Sequence, residues 1–396
     1  MDRRRHITFG LERIEALLEA MGHPEHHVPH IVQVVGTNGK GTTAVALASA
    51  LEEMGHASGS YLSPHVLSYT ERVVLRGKRS SEEEFAVAMG ETMDLADRHG
   101  IPVSQFEILT AGALKIFAEA GLSWAVLEAG LGARHDATSV ARPDAFVLTN
   151  VALDHTEFLG ETVEEIAEEK LATLRPGATL FLGTGDGRVV EIARRTCRRL
   201  GANLVELAGE NAVSTDLAPY LAGDVNLGLA VAGSLLEKDL PVEVEAKVAL
   251  AVRDALPGRF EVCEVGGVPV VLDGGHNAAG VSAALVAFRR AYPGRPLGVV
   301  FGVLREKDVA GMLSGFVGEA HTIVLTRPEG ERALGPALVG REHDPRDRNE
   351  RRALVVRDPV EALGVAVGAV REVDGAVLVT GSLSTVAPVL RWLREA

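Results

Sequence analysis

A glycine-rich run near the N-terminus has the residue types that bind phosphate. The run consists of Gly36, Thr37, Asn38, Gly39, Lys40, Gly41, Thr42 and Thr43. Small residues allow successive backbone N–H groups to point at a phosphate, the lysine adds a positive charge, and either threonine hydroxyl can reach Mg²⁺. Val34 stands where a strict Walker A motif has its first glycine, and Gly41 separates the lysine from the threonine. The run predicts phosphate binding, and the alternative is an ordinary Gly-rich turn.

Other side chains with suitable chemistry follow predicted strands. Glu128 ends an apolar run, and His155 comes shortly after another. Asp273 and His276 follow a third such run in the second half of the chain. Binding sites gather at the carboxyl edge of a parallel sheet, so these groups are candidates for metal or nucleotide binding. Taken alone, a solvated carboxylate or a structural histidine is the alternative at each position.

The elements that must position these residues alternate between strand and helix. A buried strand at 31–35 is followed by the glycine-rich run and a helix at 44–51, which is the order a phosphate loop requires. A short helix is predicted at 11–21, and further helices at 106–120 and 163–174. Other strands are predicted at 124–127, 145–149, 179–182, 268–272, 297–301, 322–325 and 376–380. This alternation predicts an α/β fold with mostly parallel, doubly wound sheets.

The length of 396 residues predicts two domains, with a cleft between them. We place the boundary near 253–257, which gives domains at 1–257 and 258–396. The segment 327–352 is charged and lacks a clear period, so we expect a surface loop there.

Composition narrows the classes of function. A formal charge of -14 argues against nucleic acid as a partner, because phosphate backbones are held by fields of Lys and Arg. Cys197 and Cys263 are too few for a disulfide framework and lack metal-ligand spacing. The basic N-terminus leads into no apolar run of signal or membrane length. We therefore expect a cytoplasmic protein without a membrane partner, and a monomer.

The glycine-rich run resembles the phosphate loop of the Mur ligase superfamily, and the chain is most similar to its folylpolyglutamate synthase and dihydrofolate synthase branch. Further motifs of this branch occur in the same order across nearly the whole chain. They are Ser-Pro-His-Val-Leu-Ser-Tyr-Thr-Glu-Arg at 63–72, Phe-Glu at 106–107, Val-Leu-Glu-Ala-Gly-Leu-Gly at 126–132, Leu-Asp-His-Thr-Glu-Phe-Leu-Gly at 153–160, Glu-Lys at 169–170, Leu-Pro-Gly-Arg at 256–259 and Asp-Gly-Gly-His-Asn at 273–277.

The resemblance implies an N-terminal P-loop-type ATPase domain that binds ATP and folate, and a smaller, Rossmann-like C-terminal glutamate-ligase domain. It implies two magnesium ions, with Thr42 and Glu128 as ligands and with His155, Glu128 and Lys170 sharing the second ion. Lys170 matches a lysine that is carbamylated in related ligases. A carbamate is an anion with two oxygen ligands, whereas a lysine ammonium cannot bind a cation. The residues alone favour a surface lysine that pairs with Glu165 or Glu169.

The resemblance also assigns residues to the nucleotide and to glutamate. Arg259 and Asp273 contact the nucleotide, and His276 lies near the phosphates and the incoming glutamate, so that Lys40, Lys170 and His276 carry the catalysis. Asn226 matches an adenine-contacting asparagine, although Gly223 replaces the glutamine that often precedes it. A helix-capping or loop role is the alternative for Asn226. Ser382 matches a serine that holds glutamate, with an ordinary Gly-Ser turn as the alternative.

Five positions match residues of the acceptor site: Arg13, Ser63, Arg72, Phe106 and Asp136. Phe106 offers a face on which a pterin can stack, Asp136 can accept hydrogen bonds from pterin N–H groups, and arginine suits the acceptor carboxylate. Phe106 can equally be a core residue of its helix. The family's Gly-Gly-Arg-Leu-Asp-Ala-Thr-Asn-Val run differs here at Ala133, His135 and Ser139.

Together these residues imply an ADP-forming amide ligase that joins L-glutamate to dihydropteroate, to reduced folate, or to both, through an acyl phosphate. Two alternatives stay open at this point. One is a Mur-type ligase that acts on a peptidoglycan precursor, and the other is a phosphate-loop kinase or switch that forms no amide bond.

Overall fold

The computed structural model describes residues 10–207, 216–342 and 353–395. The described chain forms two compact units. The N-terminal unit is Met1–Leu217 with Leu221–Leu256, and the C-terminal unit is Ala218–Tyr220 with Pro257–Ala396. The main division between them falls at Leu256 and Pro257, beside the boundary of 257 and 258 that we placed from the sequence.

The N-terminal unit contains an eight-stranded sheet in the order β4-β3-β2-β5-β1-β6-β7-β8. Its strands are β1 His30–Val35, β2 Ser58–Tyr61, β3 Val73–Leu75, β4 Lys78–Arg79, β5 Trp124–Glu128, β6 Ala145–Leu148, β7 Thr179–Leu182 and β8 Asn203–Glu206. The six strands from β2 to β8 in this order pair in parallel, and β3 and β4 form an antiparallel edge. The predicted mostly parallel sheet is confirmed.

Helices cover both faces of this sheet, as a doubly wound fold requires. They are α1 Glu12–Ala20, α2 Lys40–Glu53, α3 Glu82–Arg98, α4 Gln105–Glu119, α5 Thr156–Leu159, α6 Val163–Lys170, α7 Gly187–Leu200, α8 Pro219–Leu236 and α9 Val242–Ala255. Alternate residues of a strand point to opposite faces. In β1, Ile31 packs with the core of α1, α3 and α4, whereas Val32 and Val34 pack with that of α2, α8 and α9.

The helix predicted at 163–174 is shorter than the pattern suggested. It ends at Lys170, with Leu171 as its cap, and residues 171–173 form turns before Pro176. Lys170 is therefore the last helical residue, and the end of α6 directs its side chain into the protein interior.

The C-terminal unit contains a six-stranded sheet in the order β13-β12-β11-β14-β10-β9. Its strands are β9 Glu261–Val265, β10 Val268–Leu272, β11 Leu297–Phe301, β12 Ala320–Leu325, β13 Leu354–Val355 and β14 Ala376–Thr380. Its helices are α10 Ala278–Ala291, α11 Val309–Leu313, α12 Pro336–Glu342, α13 Pro359–Arg371 and α14 Leu383–Glu395. All pairings are parallel except that of β9 with β10.

The surface loop predicted at 327–352 is partly wrong. Residues Pro336–Glu342 form α12, and Val339 is fully buried against the core of this unit. The sequence analysis missed this helix because its seven residues make only about two turns, too few for a helical repeat of apolar residues to be recognised. Residues 343–352 lie outside the described part of the chain. Among the described helices, none combines the length and the apolar character needed to cross a bilayer.

Candidate functional site

The glycine-rich run forms the connection between β1 and α2, and the end of β6 holds it in place. The backbone N–H of Thr37 donates to the carbonyl of Asn150 at 2.9 Å. The N–H of Asn38 donates to Oδ1 of Asn150 at 3.1 Å, and Nδ2 of Asn150 donates to the carbonyl of Asn38 at 2.9 Å. Thr149 adds a bond from Oγ1 to the same carbonyl at 2.7 Å. These four hydrogen bonds tie the loop to the residues that follow β6.

Gly36 and Gly39 adopt backbone angles that side chains rarely permit, with φ of 151° and 82°. A Cβ at Gly36 would lie 1.9 Å from Oγ1 of Thr149, and a Cβ at Gly39 would lie 2.2 Å from Oδ1 of Asp224. The close approach of Thr149 and Asp224 to this loop is what requires glycine at both positions. Asp224 comes from α8, far away in sequence, and the motif gave no signal for it.

We expect Gly36→Ala to destabilise the chain and to abolish ATP binding. Strain at the backbone alone costs about 1–3 kcal/mol, and the overlap with Thr149 adds to it. Thermal unfolding and titration with ATP measure the two effects. Gly90→Ala is the matched control, since Gly90 lies in α3 with open space around it; alanine there should be neutral or stabilise the helix by up to about 1 kcal/mol. Wild-type melting and ATP binding by Gly36→Ala would contradict the assignment.

Lys40 begins α2, and its Nζ donates to the carbonyl of Thr37 at 3.1 Å. The lysine therefore lies over its own loop, next to the N-terminal N–H groups of the helix. Thr42 and Thr43 are both buried, and Oγ1 of Thr43 donates to the carbonyl of Asp224 at 3.2 Å. This arrangement offers an anion a charge and a helix N-terminus together.

Glu128 is the last residue of β5 and faces the first turn of α2. Its side chain is buried, and Oε2 accepts a hydrogen bond from the N–H of Ser63 at 2.8 Å. Oε2 would lie 3.1 Å from a Cβ at Gly41, so the carboxylate lies against the glycine-rich run. The sequence placed Glu128 at the carboxyl edge of the sheet, and the structure has it there, beside the central strand β1.

Lys170 is a buried lysine in contact with the phosphate loop. Its side chain donates from Nζ to the carbonyl of Gly36 at 2.7 Å, and the residue is 3% exposed. The alternative of a surface lysine paired with Glu165 or Glu169 is wrong. Glu165 instead accepts from the N–H groups of Glu161 and Thr162, and Glu169 pairs with Arg134.

Burial and, to a smaller extent, the nearby charge of Lys40 together lower the pKa of Lys170 to about 7. The carboxylate of Asp154 acts in the opposite direction. Such an amine is mostly neutral above pH 7, which makes it a nucleophile rather than a cation. The spacing of Glu and Lys along the helix could not predict that the Lys170 amine is buried and has a lowered pKa.

His155 follows Asp154 on the loop after β6. His155 has φ of 50° and a side chain that is 29% exposed, whereas the side chain of Asp154 is 8% exposed. Oδ1 of Asp154 accepts from the N–H of His155 at 3.0 Å. Sequence reasoning missed Asp154, although its place beside the histidine in the Asp-His-Thr-Glu run was a usable signal.

Phe106 and Asp136, two of the predicted acceptor residues, converge on Gly130. A Cβ at Gly130 would lie 2.8 Å from Cζ of Phe106 and 3.2 Å from Oδ2 of Asp136. Gly130 is exposed and Phe106 is only half-buried, although its ring packs against the core of α4. One side of the Phe106 ring therefore packs against the core, and the ring reaches the surface near Gly130.

Asp136 is held by the backbone of its own loop. Oδ2 accepts from the N–H groups of Gly130 and Leu131 at 2.8 and 3.0 Å. Oδ1 accepts from the N–H and the hydroxyl of Thr138 at 3.0 and 2.6 Å. Burial raises the pKa of Asp136, and these hydrogen bonds counter that shift. Both oxygens are thus engaged in shaping the loop.

Arg13, Ser63 and Arg72 occupy different surroundings in the same unit. Arg13 pairs with the buried carboxylate of Glu107 at 3.1 Å, which joins α1 to the first turn of α4. Arg72 donates from Nε to Nδ1 of His65 at 2.9 Å and lies near the hydroxyl of Tyr61. Burial raises the pKa of Tyr61 to about 12.

Glu71 organises the loop that carries Ser63 and Arg72. Its carboxylate is buried and accepts from the N–H groups of Val66, Leu67 and Ser68 at 2.7, 3.0 and 3.0 Å. Sequence reasoning treated this Glu only as part of a family motif. Its three backbone partners give it a definite structural role.

In the C-terminal unit, Asp273 lies at the end of β10 and is buried. It accepts from the N–H groups of Phe260 and Gly275 at 3.0 and 2.8 Å and from the hydroxyl of Tyr220. Burial raises its pKa, although these bonds and the charge of Arg259 lower it. Nδ1 of His276 lies 3.2 Å from the carbonyl of Gly274. Arg259 lies close to the same glycine, because a Cβ built on Gly274 would be 3.5 Å from its Nη1.

Ser382 and Asn226 each had a structural alternative to ligand binding, and their surroundings in the structure bear on it. The buried hydroxyl of Ser382 accepts from the N–H of Thr385 at 3.1 Å at the start of α14, and it lies 3.3 Å from the carbonyl of Gly302. These contacts hold the turn before α14 in place. Asn226 lies inside α8, seven residues after its start, so the alternative of a capping or loop role is wrong.

Two family models match this chain. The model of the Mur ligase middle domain matches residues 34–176, and the model of the Mur ligase glutamate ligase domain matches residues 258–383. A dihydrofolate synthase/folylpolyglutamate synthase of Bacillus subtilis is 30% identical over 347 residues, which cover 79% of this chain and 80% of the relative. The chain belongs to the folylpolyglutamate synthase and dihydrofolate synthase family of Mur ligases.

Solved structures of this family have the same fold. A folylpolyglutamate synthase of Mycobacterium tuberculosis complexed with ADP is 26% identical, with a TM-score of 0.88, and the match covers 100% of this chain and 96% of that one. A bifunctional folylpolyglutamate synthase/dihydrofolate synthase with Mn, AMPPNP and L-glutamate bound is 29% identical, with a TM-score of 0.83 and coverage of 99% and 96%.

Membership in the family confirms three predictions made from the sequence: the α/β fold, the use of ATP with a divalent metal, and an ATP-dependent ligase that adds glutamate to folates. It also decides against a kinase or switch that forms no amide bond. Burial raises the pKa of both Cys197 and Cys263, which favours the protonated thiols.

Proposed function

We propose that the chain activates the carboxylate of a pterin-containing acceptor with ATP and then joins it to the amine of L-glutamate. The acceptor carboxylate attacks the γ-phosphorus, ADP leaves, and an acyl phosphate forms. The glutamate amine then attacks the acyl carbon, loses a proton and expels phosphate. Dihydropteroate, reduced folate already bearing glutamate, or both serve as acceptor. The observation that supports this best is the buried, largely neutral Lys170 bonded to the phosphate loop at Gly36.

The residues around the loop suit magnesium. Mg²⁺ prefers oxygen ligands and is held through few carboxylates together with substrate phosphates. Glu128 supplies a buried carboxylate against Gly41, and Thr42 supplies a hydroxyl in the first turn of α2, because the hydroxyl of Thr43 is bonded to Asp224. His155 and Lys170 complete the set that we propose for two ions. When bound, the ions supply charge neutralisation at the transferred phosphoryl group.

Lys170 joins this set through carbamylation, in our proposal. The neutral amine attacks CO₂, an N–C bond forms and a proton is released, which leaves a carbamate anion. Only the unprotonated amine can react, and a pKa of about 7 makes it abundant at neutral pH. The negative charge of the carbamate attracts Lys40, whereas a protonated Lys170 would repel it.

The remaining roles follow from position. Lys40 lies where it can bind the β- and γ-phosphates, and the loop N–H groups of Gly39 and Gly41 add further donors. In the C-terminal unit, Arg259 is proposed to bind the nucleotide and His276 the phosphates and glutamate. Asp273 positions the backbone of Phe260 and Gly275 and is proposed to contact the nucleotide with Arg259. Asn226 and Ser382 are proposed contacts of adenine and glutamate. We propose that the active form is a monomer.

The acceptor is proposed to stack on Phe106 where this ring reaches the surface beside Gly130. Arg72 is the arginine that we assign to the acceptor carboxylate. Arg13 acts mainly through Glu107, since their ion pair fixes the first turn of α4, on which Phe106 lies. Asp136 and Ser63 shape the loops around this position, through Gly130 and Glu128 respectively.

The test of the proposed function is the dependence of ADP release on each substrate. Purified chain with ATP and Mg²⁺ should release ADP only when L-glutamate and either dihydropteroate or reduced folate are both present, and the product mass should increase by one glutamate residue. ADP release that requires a sugar-nucleotide acceptor, or no acceptor at all, would refute the proposal.

A pair of substitutions at Phe106 tests the acceptor position. Phe106→Leu keeps an apolar side chain but loses the flat face, so we expect KM for the acceptor to rise about tenfold while KM for ATP is unchanged, since stacking on an aromatic ring is worth about 1–3 kcal/mol. Phe106→Tyr keeps the ring and should behave like the wild type. A lower melting temperature without any change in KM would instead assign Phe106 to the core.

A further inference from the structure

A cluster of two histidines and a glutamate lies on the turn between α1 and β1. Nδ1 of His23 lies 2.9 Å from Oε1 of Glu25, and Nε2 of His26 lies 3.7 Å from the same oxygen. One potential ligand atom from each of the three residues lies within 4.8 Å of the other two. The two imidazole rings stack against each other with their centroids 4.7 Å apart. The proposed ligase reaction makes no use of these residues.

Glu25 is the residue that calls for a cation. It is 6% exposed, and its Oε2 is buried without a hydrogen-bond partner among the residues that the structure describes. A buried carboxylate is costly unless its charge and its lone pairs are satisfied. His23 reaches only Oε1, and His26 is too distant to form a hydrogen bond.

We propose that His23, Glu25 and His26 bind a zinc ion or a similar first-row divalent metal. Imidazole nitrogens and a carboxylate are donors that zinc uses at about 2.0–2.1 Å, which places neighbouring ligands of a tetrahedral site about 3.4 Å apart. The observed separations of 2.9 and 3.7 Å bracket that value. Mg²⁺ suits the site poorly, because it prefers an octahedron of oxygen ligands.

The side chains of His23 and His26 are 44% and 61% exposed, which gives the ion access from solvent and leaves room for a water ligand. The ion would join the end of α1 to the residues that lead into β1, and the 3-10 turn Pro24–His27 packs against α4. Metal binding to the folded turn is then a contribution to folding stability. The site is structural, and it lies on the elements that carry Arg13, the phosphate loop and Phe106.

The experiment compares His26→Gln with His27→Gln in the full-length chain without a histidine tag. His27 is the adjacent exposed histidine outside the cluster, so it controls for nonspecific binding by surface imidazole. Each protein is stripped with a chelator and titrated calorimetrically with Zn²⁺ in saturating Mg²⁺. We expect the wild type and His27→Gln each to bind one zinc ion. The affinity of His26→Gln for zinc should be at least about tenfold lower. Zinc should raise the melting temperature of the first two proteins only.

Glu25→Gln gives an independent check, because it keeps the shape of the side chain and removes the buried charge. We expect it to lose the zinc-dependent rise in melting temperature while the metal-free chain remains folded by circular dichroism. Equal zinc affinity in the wild type, His26→Gln and Glu25→Gln would overturn the proposal. Equal weakening by His26→Gln and His27→Gln would overturn it as well, since the cluster excludes His27.

Discussion

Substitution of Lys40 by alanine should reduce turnover on the order of 10³-fold, because a positioned cation at a transferred phosphoryl group is worth that much in related chemistry. Lys40 begins α2, and Nζ lies over its own loop at the carbonyl of Thr37, 3.1 Å away. The backbone bonds of the loop come from Thr149 and Asn150 and do not need the lysine. Folding should therefore survive the change, and the loss should appear in kcat.

Steady-state ADP release in the presence of acceptor and glutamate measures this effect, with thermal unfolding alongside. Lys247→Ala is the matched control, since Lys247 is an exposed lysine of the same unit that pairs with Glu53. We expect wild-type turnover from Lys247→Ala. Turnover by Lys40→Ala within a few-fold of the wild type would remove the glycine-rich run from the proposed mechanism.

The sequence was sufficient for the parts of the fold that depend on local patterns. Apolar runs located β1, β5, β6 and β7, because parallel strands buried on both faces are rich in Val, Leu and Ile. It gave no signal for β2, which reads Ser-Gly-Ser-Tyr and yet is buried throughout between β3 and β5. Its burial is a product of tertiary packing, for which strand propensity is a weak guide.

The candidate site divides in the same way. Glu128 and Lys40 were found because strand ends and glycine-rich turns have recognisable settings. Asp224 and Asn150 were missed, since each reaches the phosphate loop from a distant part of the chain. Lys170 was the opposite case, because its helix pattern predicted a surface residue. Only the termination of α6 at this lysine, with its Nζ bonded to Gly36, shows that the amine is buried.

Lys170→Ala should lower turnover by about 10²- to 10³-fold, an effect typical of losing one group that stabilises transition-state charge. Activity of the wild type should also depend on CO₂ and on pH. The pKa of about 7 means that the amine is protonated below pH 6 and largely neutral at pH 8. Carbamate formation requires the neutral amine, so it should increase as pH rises through 7 and be lost on acidification.

The measurement starts from enzyme held at pH 6 in buffer freed of CO₂ and then assayed at pH 8 with and without added bicarbonate. We expect low initial activity that bicarbonate restores in the wild type but not in Lys170→Ala or Lys170→Arg. The arginine variant separates charge from carbamylation, because a guanidinium keeps a positive charge and stays protonated. Labelling with ¹³C-bicarbonate should give a carbamate NMR signal that both variants lack. Full activity without CO₂ across this pH range would mean that Lys170 acts as an amine, holding the loop through Gly36 alone.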